Sequence, residues 1–236
     1  YITCEMAEEK IAERIDANLL DTNIQTLSDP LFSRQKYQNK IDILNQKTQG
    51  KLIIKEYPTA SANANHFKSL LNELSLKKGF KPHIIFVDYL NICASSRYKG
   101  NIVNSYTYVK SIAEELRGLA GEFNVPIVSA TQTTRSGYGN SDVELTDTSE
   151  SFGLPATADI MFALISTEEM ENLNQIMVKQ LKNRYNDPTM NKRFVLGIDR
   201  AKMRLYDCDQ AQQNIVDSGQ EVVDMPIKKS FAELKV

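Results

Sequence analysis

The chain has no tryptophan, and among its 236 residues only three are cysteine and two histidine. Cys4, Cys93 and Cys208 are widely separated, and none has a second cysteine or a histidine at metal-ligand spacing. This argues against a disulfide framework or a structural zinc site and fits a reducing compartment. No apolar stretch approaches the length of a membrane span, and the opening YITCEMAEEK has no basic segment leading into an apolar one, so a cytosolic protein is expected. Neither sign of charge dominates: 28 Lys and Arg face 30 Asp and Glu, for a formal net charge of −2. Nucleic-acid contact is therefore left to local patches rather than to a general basic footprint. There is no internal repeat. Nowhere does G-x-x-x-x-G-K-[S/T] occur, so the backbone cradle and lysine that hold nucleotide phosphates are missing from this sequence.

What is present is ordinary for a globular protein, 42% hydrophobic and 25% charged. The most informative stretch is Lys81–Cys93, KPHIIFVDYLNIC. Ile84, Ile85, Phe86 and Val87 form a continuous apolar run that ends at Asp88. Such a run predicts a strand buried on both faces, the habit of a parallel sheet covered by helices. Asp88 then sits at the strand's carboxyl end, the edge where open α/β sheets bind ligands, and can hold Mg²⁺ carried by a nucleotide. It can equally end a strand and cap a turn.

Taken in order, Tyr1–Cys4 reads as a strand followed at once by Glu5. A helix follows from Met6 to about Asp21, with Ala7, Ile11, Ile15 and Leu19 as its stripe. Leu31–Gln46 reads as a polar helical surface insertion anchored by Ile41 and Leu44. Lys51–Tyr57 is a short strand, and His66–Leu76 a helix with Phe67, Leu70, Leu71 and Leu74 inward. After the Asp88 strand comes a polar loop, then a helix on Val109, Ile112, Leu116 and Leu119 that Gly121 closes. Val125–Ala130 is a strand ending in Thr131 and Gln132, and Thr133–Thr148 a long polar loop of the functional or disordered kind. Ala158–Ile165 is a strand, Glu168–Leu173 a short helix, and Ile176–Lys182 pairs antiparallel with Arg193–Asp199. Residues 1–207 are expected to form the domain and 208–236 a tail or arm.

Three strands thus end in Glu5, Asp88 and Gln132. A carboxylate on Mg²⁺, a second to orient water and an amide to sense a γ-phosphate are the parts that phosphoryl transfer recruits, because positioning and charge neutralisation supply most of its catalysis. Lys182 and Arg184 lie two apart on a strand, so both can reach one phosphate group. Each has a plainer reading as well: Glu5 as a carboxylate favoured by a helix N-terminus, Gln132 as a solvated strand end, Lys182 and Arg184 as a solvated hairpin face.

YITCEMAEEKIAERIDA, HIIFVDYLNIC, NVPIVSATQTTR, ESFGLPATADIMFAL and KNRYNDP, in this order and at these separations, resemble the RecA-like motor domain of the DnaB-family replicative helicases, most closely the T-even phage type. The resemblance implies an α/β, RecA-like P-loop NTPase core with a mainly parallel sheet flanked by helices and antiparallel strands at the C-terminal end. Glu5 matches the family's catalytic glutamate, Asp88 its Walker B aspartate for Mg²⁺, and Gln132 the glutamine that couples the γ-phosphate to the DNA-facing loops. Lys182 and Arg184 match the lysine and arginine finger that reach a neighbouring subunit's nucleotide. The polar loops around Arg97–Asn104 and Thr133–Glu150 resemble the family's DNA-binding loops, with Arg97, Lys99 and Arg135 meeting phosphates and main-chain N–H groups near Glu150 and Gly153 adding contacts.

The parent implied is an ATP- or GTP-hydrolysing hexameric ring on single-stranded DNA, phage-encoded, with a primase and a helicase loader as partners. The phosphate loop and the N-terminal primase-interacting domain are absent from this sequence, which therefore looks like a fragment expected to be inactive by itself. The resemblance also places a lost strand between Val125–Ala130 and Ala158–Ile165. Two other readings remain: a RecA-type recombinase or another ring ATPase, and a non-enzymatic DNA-binding or assembly module.

Overall fold

Four parallel strands carry the chemistry-bearing residues of the N-terminal half. They are β1 (Ile2–Thr3), β2 (Lys55–Glu56), β3 (Ile85–Asp88) and β4 (Ile127–Ser129), in the spatial order β2-β1-β3-β4. This is a computed structural model, and it describes residues 1–29, 31–98, 103–133, 145, 153–187, 190 and 192–209. Ile2 pairs with Val87 and Thr3 with Asp88, while Ile85, Phe86 and Val87 pair with Ile127, Val128 and Ser129.

Helices α4 (Ala64–Lys78) and α5 (Ser105–Phe123) supply most of the core against this sheet. Phe67 and Leu71 of α4 and Val109, Ile112, Leu116 and Leu119 of α5 pack with Ile2, Ile85 and Val87. Asn63 starts α4 by accepting hydrogen bonds from the Asn65 and His66 amides, and the His66 ring reaches back to the Asn63 amide. These satisfy amides that the first turn leaves without helical partners. Gly79 ends α4 in the left-handed region at φ 59°.

Two expectations need correcting here. Gly121 does not close α5; the helix runs on to Phe123, and Asn124 at φ 51° takes the left-handed position, which a short polar side chain tolerates. Nor is β3 buried on both faces. Ile85 and Val87 are buried, but Ile84 and Phe86 are 46% and 39% exposed, because among the described residues no helix covers that side of the sheet.

Helix α1 (Glu8–Leu19) follows β1 and buries Ile11 and Ala17, with Leu20 just beyond its end. Leu19, expected on the inward stripe, is exposed. A repeat of four overshoots the helical turn, so from Ala7 to Leu19 the stripe drifts by about 120° around the axis. After the short α2 (Ile24–Leu27), α3 (Arg34–Lys47) buries none of its residues, as a surface insertion should. Tyr37 donates a 2.6 Å hydrogen bond to Asp16, and the Lys40 ammonium donates to Leu20 O and Thr22 Oγ1, fastening α3 to the end of α1.

The second sheet is antiparallel: β5 (Ile160–Ile165), β6 (Gln175–Asn183), β7 (Arg193–Asp199) and β8 (Arg204–Asp207), in that spatial order. The expected pairing of Ile176–Lys182 with Arg193–Asp199 is found, with Met177 opposite Val195. Helix α7 (Glu168–Asn172) buries Met170 against Ala163, Ile165, Met177 and Val195, a smaller core than the first. The strand β8 and the one-and-a-half-turn α6 (Gly153–Thr157) had no counterpart in the sequence reading. Across β7 and β8 the Tyr206 ring lies on Gly197, where an added Cβ would come within 2.2 Å of it.

Among the described residues β4 pairs only with β3 and β5 only with β6. Each sheet therefore presents a free edge, at the two strands between which the resemblance places a further one. No described helix is long and apolar enough to cross a membrane.

Candidate nucleotide site and nucleic-acid interface

The turn after β1 is built from side chains that bond to the backbone. Thr3 Oγ1 donates to Met6 O at 2.8 Å and accepts from Met6 N at 3.0 Å, closing the turn that carries Glu5 outward. Cys4 N donates to Asp88 O at 2.8 Å, and Thr59 Oγ1 donates to Cys4 O at 2.8 Å. Backbone bonds therefore hold the Glu5 turn directly beside the end of β3. Helix α1 begins later, with Ala7 as its N-cap and Glu8 and Glu9 as its first-turn acids. Glu5 thus lies ahead of the helix, and favouring its macrodipole falls to Glu8 and Glu9.

Asp88 is the last residue of β3, and its Oδ2 accepts a 2.7 Å hydrogen bond from the Tyr1 hydroxyl. The Tyr1 ring stacks on Phe86, with centroids 6.1 Å apart. Burial first, and then the hydrogen bond to Asp88, push the Tyr1 phenol well above its ordinary range. It therefore stays a donor. Sequence reading missed this contact; its signal is periodicity alone, since Tyr1 and Thr3 share a face of β1 and Thr3 pairs with Asp88.

Gln132 follows β4 and donates from Nε2 to the Tyr89 hydroxyl at 3.1 Å, while Ser129 Oγ donates to Val87 O at 2.7 Å. Glu5, Asp88 and Gln132 accordingly stand at the carboxyl edge of three adjacent parallel strands. Below the edge, Cys4 and Cys93 are buried with their sulfurs 3.9 Å apart, so the two turns also pack against each other.

The donor set suits Mg²⁺ rather than a protein-caged metal. Among the described residues no three His, Cys, Asp or Glu side chains converge. Mg²⁺ keeps several waters and is held by one or two carboxylates plus substrate phosphates, which is what Asp88, with Glu5 on the neighbouring turn, can provide.

Lys182 and Arg184 are brought together elsewhere, at the end of β6 against α6. Lys182 Nζ donates to Pro155 O at 2.5 Å, and Arg184 donates to Ala156 O at 3.1 Å and to Asp159 Oδ1 at 2.6 Å. Arg117 of α5, which the sequence reading did not single out, meets the same Asp159 oxygen at 2.9 Å and Thr157 O at 2.6 Å. Burial, and next the neighbouring Arg184 charge, lower the Lys182 ammonium below its ordinary range. Three cations thus surround one carboxylate and the last carbonyls of α6, an arrangement with positive charge to spare.

Of the expected DNA contacts, Arg97 is described: its Nη1 is 2.5 Å from Glu114 Oε2. Gly153 is buried as the first residue of α6. Lys99, Arg135 and Glu150, most of the Thr133–Thr148 loop and the tail from Gln210 lie outside the described residues.

A family model for the DnaB-like helicase C-terminal domain matches residues 1–195. The chain belongs to the DnaB-like helicase family. A DnaB-like replicative helicase of Enterobacteria phage T4 is 47% identical over 211 residues, which cover 89% of this chain and 44% of that protein. A probable plasmid replicative DNA helicase of Chlamydia psittaci is 29% identical over 192 residues, 78% of this chain and 40% of that one. The chain thus spans less than half the length of these DnaB-like relatives. Among solved structures, a DnaB-like ATPase domain superposes with a TM-score of 0.71 at 19% identity, covering 88% of this chain and 73% of that one. A DnaB-like replicative helicase, solved in a study of its interactions with primase, gives a TM-score of 0.70 at 19% identity over 88% of this chain and 50% of that one. At that identity the two structures show the fold, the RecA-like α/β core of DnaB-like ATPase domains.

Proposed function

We propose that this chain is part of the motor domain of a replicative DNA helicase, one that hydrolyses ATP or GTP between subunits of a hexameric ring and moves along single-stranded DNA at a replication fork. The observation that carries this reading is the convergence of Glu5, Asp88 and Gln132 on one edge of the parallel sheet. In the complete helicase Glu5 takes the role of polarising the attacking water, and Asp88, held by Tyr1, supports Mg²⁺ through its water shell. The magnesium supplies charge neutralisation at the phosphates. Gln132 is bonded to the residue after Asp88 and so can pass a change at the phosphate to the polypeptide beyond β4. Lys182 and Arg184 act on the nucleotide of an adjoining subunit, and Arg97, with Lys99 and Arg135, meets the DNA backbone. A primase and a loader are the further partners, and the host cytoplasm is the place of action.

The phosphate cradle has to come from outside this sequence, and the free edges of β4 and β5 give a further strand a place to enter. By itself the chain is expected neither to bind ATP tightly nor to hydrolyse it. Mg²⁺-dependent hydrolysis above that of a Glu5→Ala control would overturn that expectation. In the full-length protein, Glu5→Gln should abolish hydrolysis while nucleotide still binds; turnover at the wild-type rate would remove Glu5 from the mechanism.

A further inference from the structure

The connection from Asp88 towards α5 is tied down by one carboxylate, Glu115. Ser95 Oγ donates to Glu115 Oε1 at 2.6 Å, and Ser96 donates to Oε2 through both its amide and its hydroxyl, each at 2.8 Å. The knot is reinforced from below. Ser95 Oγ accepts from the Arg97 amide at 3.1 Å, the buried Ser111 donates to it at 3.0 Å, and the Tyr108 hydroxyl accepts from Ser95 N at 3.1 Å. Burial pushes the Glu115 carboxyl up, but the bonds from Ser95, Ser96 and the Arg97 amide together outweigh it and hold the group below its ordinary range. Next to it, Glu114 holds the Arg97 side chain at 2.5 Å and also lies 3.8 Å from Lys110.

Adjacent acids on α5 thus do different work on one residue. Glu115 fixes where the Arg97 backbone sits, and Glu114 neutralises its guanidinium. A loop of Ser and Arg left to itself would have to be ordered on binding, at about 1–2 kcal/mol per residue of backbone entropy. Here that ordering is already done.

We propose that Glu115 is a positioning residue for single-stranded DNA: it staples Ser95–Arg97 to α5 so that the Arg97 guanidinium is presented in place, with Glu114 as the intramolecular occupant that a DNA phosphate displaces. The inference rests on the reading of Arg97 as a phosphate contact. Displacement is cheap, because exposed ion pairs are worth about 0.2–1 kcal/mol while guanidinium binding to phosphate releases counterions from the strand.

The test is fluorescence anisotropy of a labelled oligo(dT) with the full-length helicase carrying these residues, loaded with a non-hydrolysable nucleotide, across a series of NaCl concentrations. Arg97→Ala should weaken binding and make the slope of log K against log salt shallower by about 0.7, the value for one lost single-strand phosphate contact. Glu115→Ala should weaken binding to a similar degree, and the double variant should be no weaker than either single one. Glu115→Gln, which keeps acceptor oxygen for the serines, should recover most of the affinity. Glu114→Gln should tighten binding about twofold, as expected for release of one exposed ion pair. Ser96→Ala, a small change at an exposed position, repeats the Glu115→Ala effect in milder form without endangering the fold. If Arg97→Ala weakens binding but Glu115→Ala and Ser96→Ala do not, the positioning role of Glu115 is wrong. If Arg97→Ala changes neither affinity nor salt slope, the reading of Arg97 fails and the inference falls with it.

Discussion

The two sheets of this protein hold their functional groups in different ways. In the parallel sheet, Glu5 and Asp88 are placed by backbone: strand pairing sets Thr3 opposite Asp88, and Cys4 N bonds to Asp88 O. In the antiparallel sheet, Lys182 and Arg184 are placed by their own side-chain contacts to Pro155, Ala156 and Asp159. The first set is fixed unless the sheet opens. The second can let go at small cost, since the Arg184, Arg117 and Asp159 side chains remain 42%, 45% and 34% exposed, in the range where ion pairs are weak. A group that orients a water needs the first kind of support, and one that must reach into a neighbouring subunit needs the second.

The sharpest way to break this comparison is by mixing subunits of the full-length protein. Arg184→Ala is expected to lower turnover about a thousandfold, the typical worth of an arginine finger, and Glu5→Gln to abolish it by an equally large factor. Because the two act from different subunits, mixed rings should regain hydrolysis at interfaces that join an intact Glu5 to an intact Arg184. No recovery on mixing would place both groups in one subunit's site.

Stability gives the next largest effect. Phe67 is fully buried in the first core whereas Phe162 on β5 is 53% exposed. Urea unfolding of the chain should show a loss of about 3–5 kcal/mol for Phe67→Ala and little more than about 0.5 kcal/mol for Phe162→Ala. In the full-length protein the cost of Phe162→Ala should rise, because a further strand and its covering helix would bury that side of β5. An unchanged cost would mean that nothing packs there.

A smaller effect is expected at Asp159, which faces two guanidinium groups. Asp159→Asn should cost about 1 kcal/mol, measured by urea unfolding at low salt, and the difference from wild type should shrink as NaCl is added. The smallest concerns acid. Glu115 has its folded-state carboxyl lowered below its unfolded value, so its contribution to stability is present above the unfolded value of about 4.3 and is lost as pH falls through the folded one. Glu115→Gln should therefore flatten the acid limb of the melting temperature below about pH 4 and leave its shape near neutrality unchanged.

Much of this was legible without coordinates. The strand ends at Glu5, Asp88 and Gln132 follow from apolar runs that stop at a polar residue, and the faces of α4 and α5 follow from helical periodicity. Short antiparallel strands with a turn between them were equally plain at β6 and β7. What failed has common causes. Leu19 was misplaced because a count of four overshoots the turn, and Gly121 because an asparagine three residues later fills the left-handed position. Phe86 was expected inside because the apolar run of β3 suits a strand covered twice, whereas the described residues cover it once.

The sequence by itself determined the family, the order of the strands' chemistry and the absence of a phosphate loop, since these reside in residue type and spacing along the chain. Tertiary structure alone decided that Tyr1 holds Asp88, that Arg117 and Asp159 join the Lys182–Arg184 cluster, and that Glu115 fastens the turn before Arg97. The physical reason is separation. Each of these contacts joins side chains 17 to 87 positions apart along the chain, or binds one carboxylate to several partners, and local periodicity carries no information about such pairings.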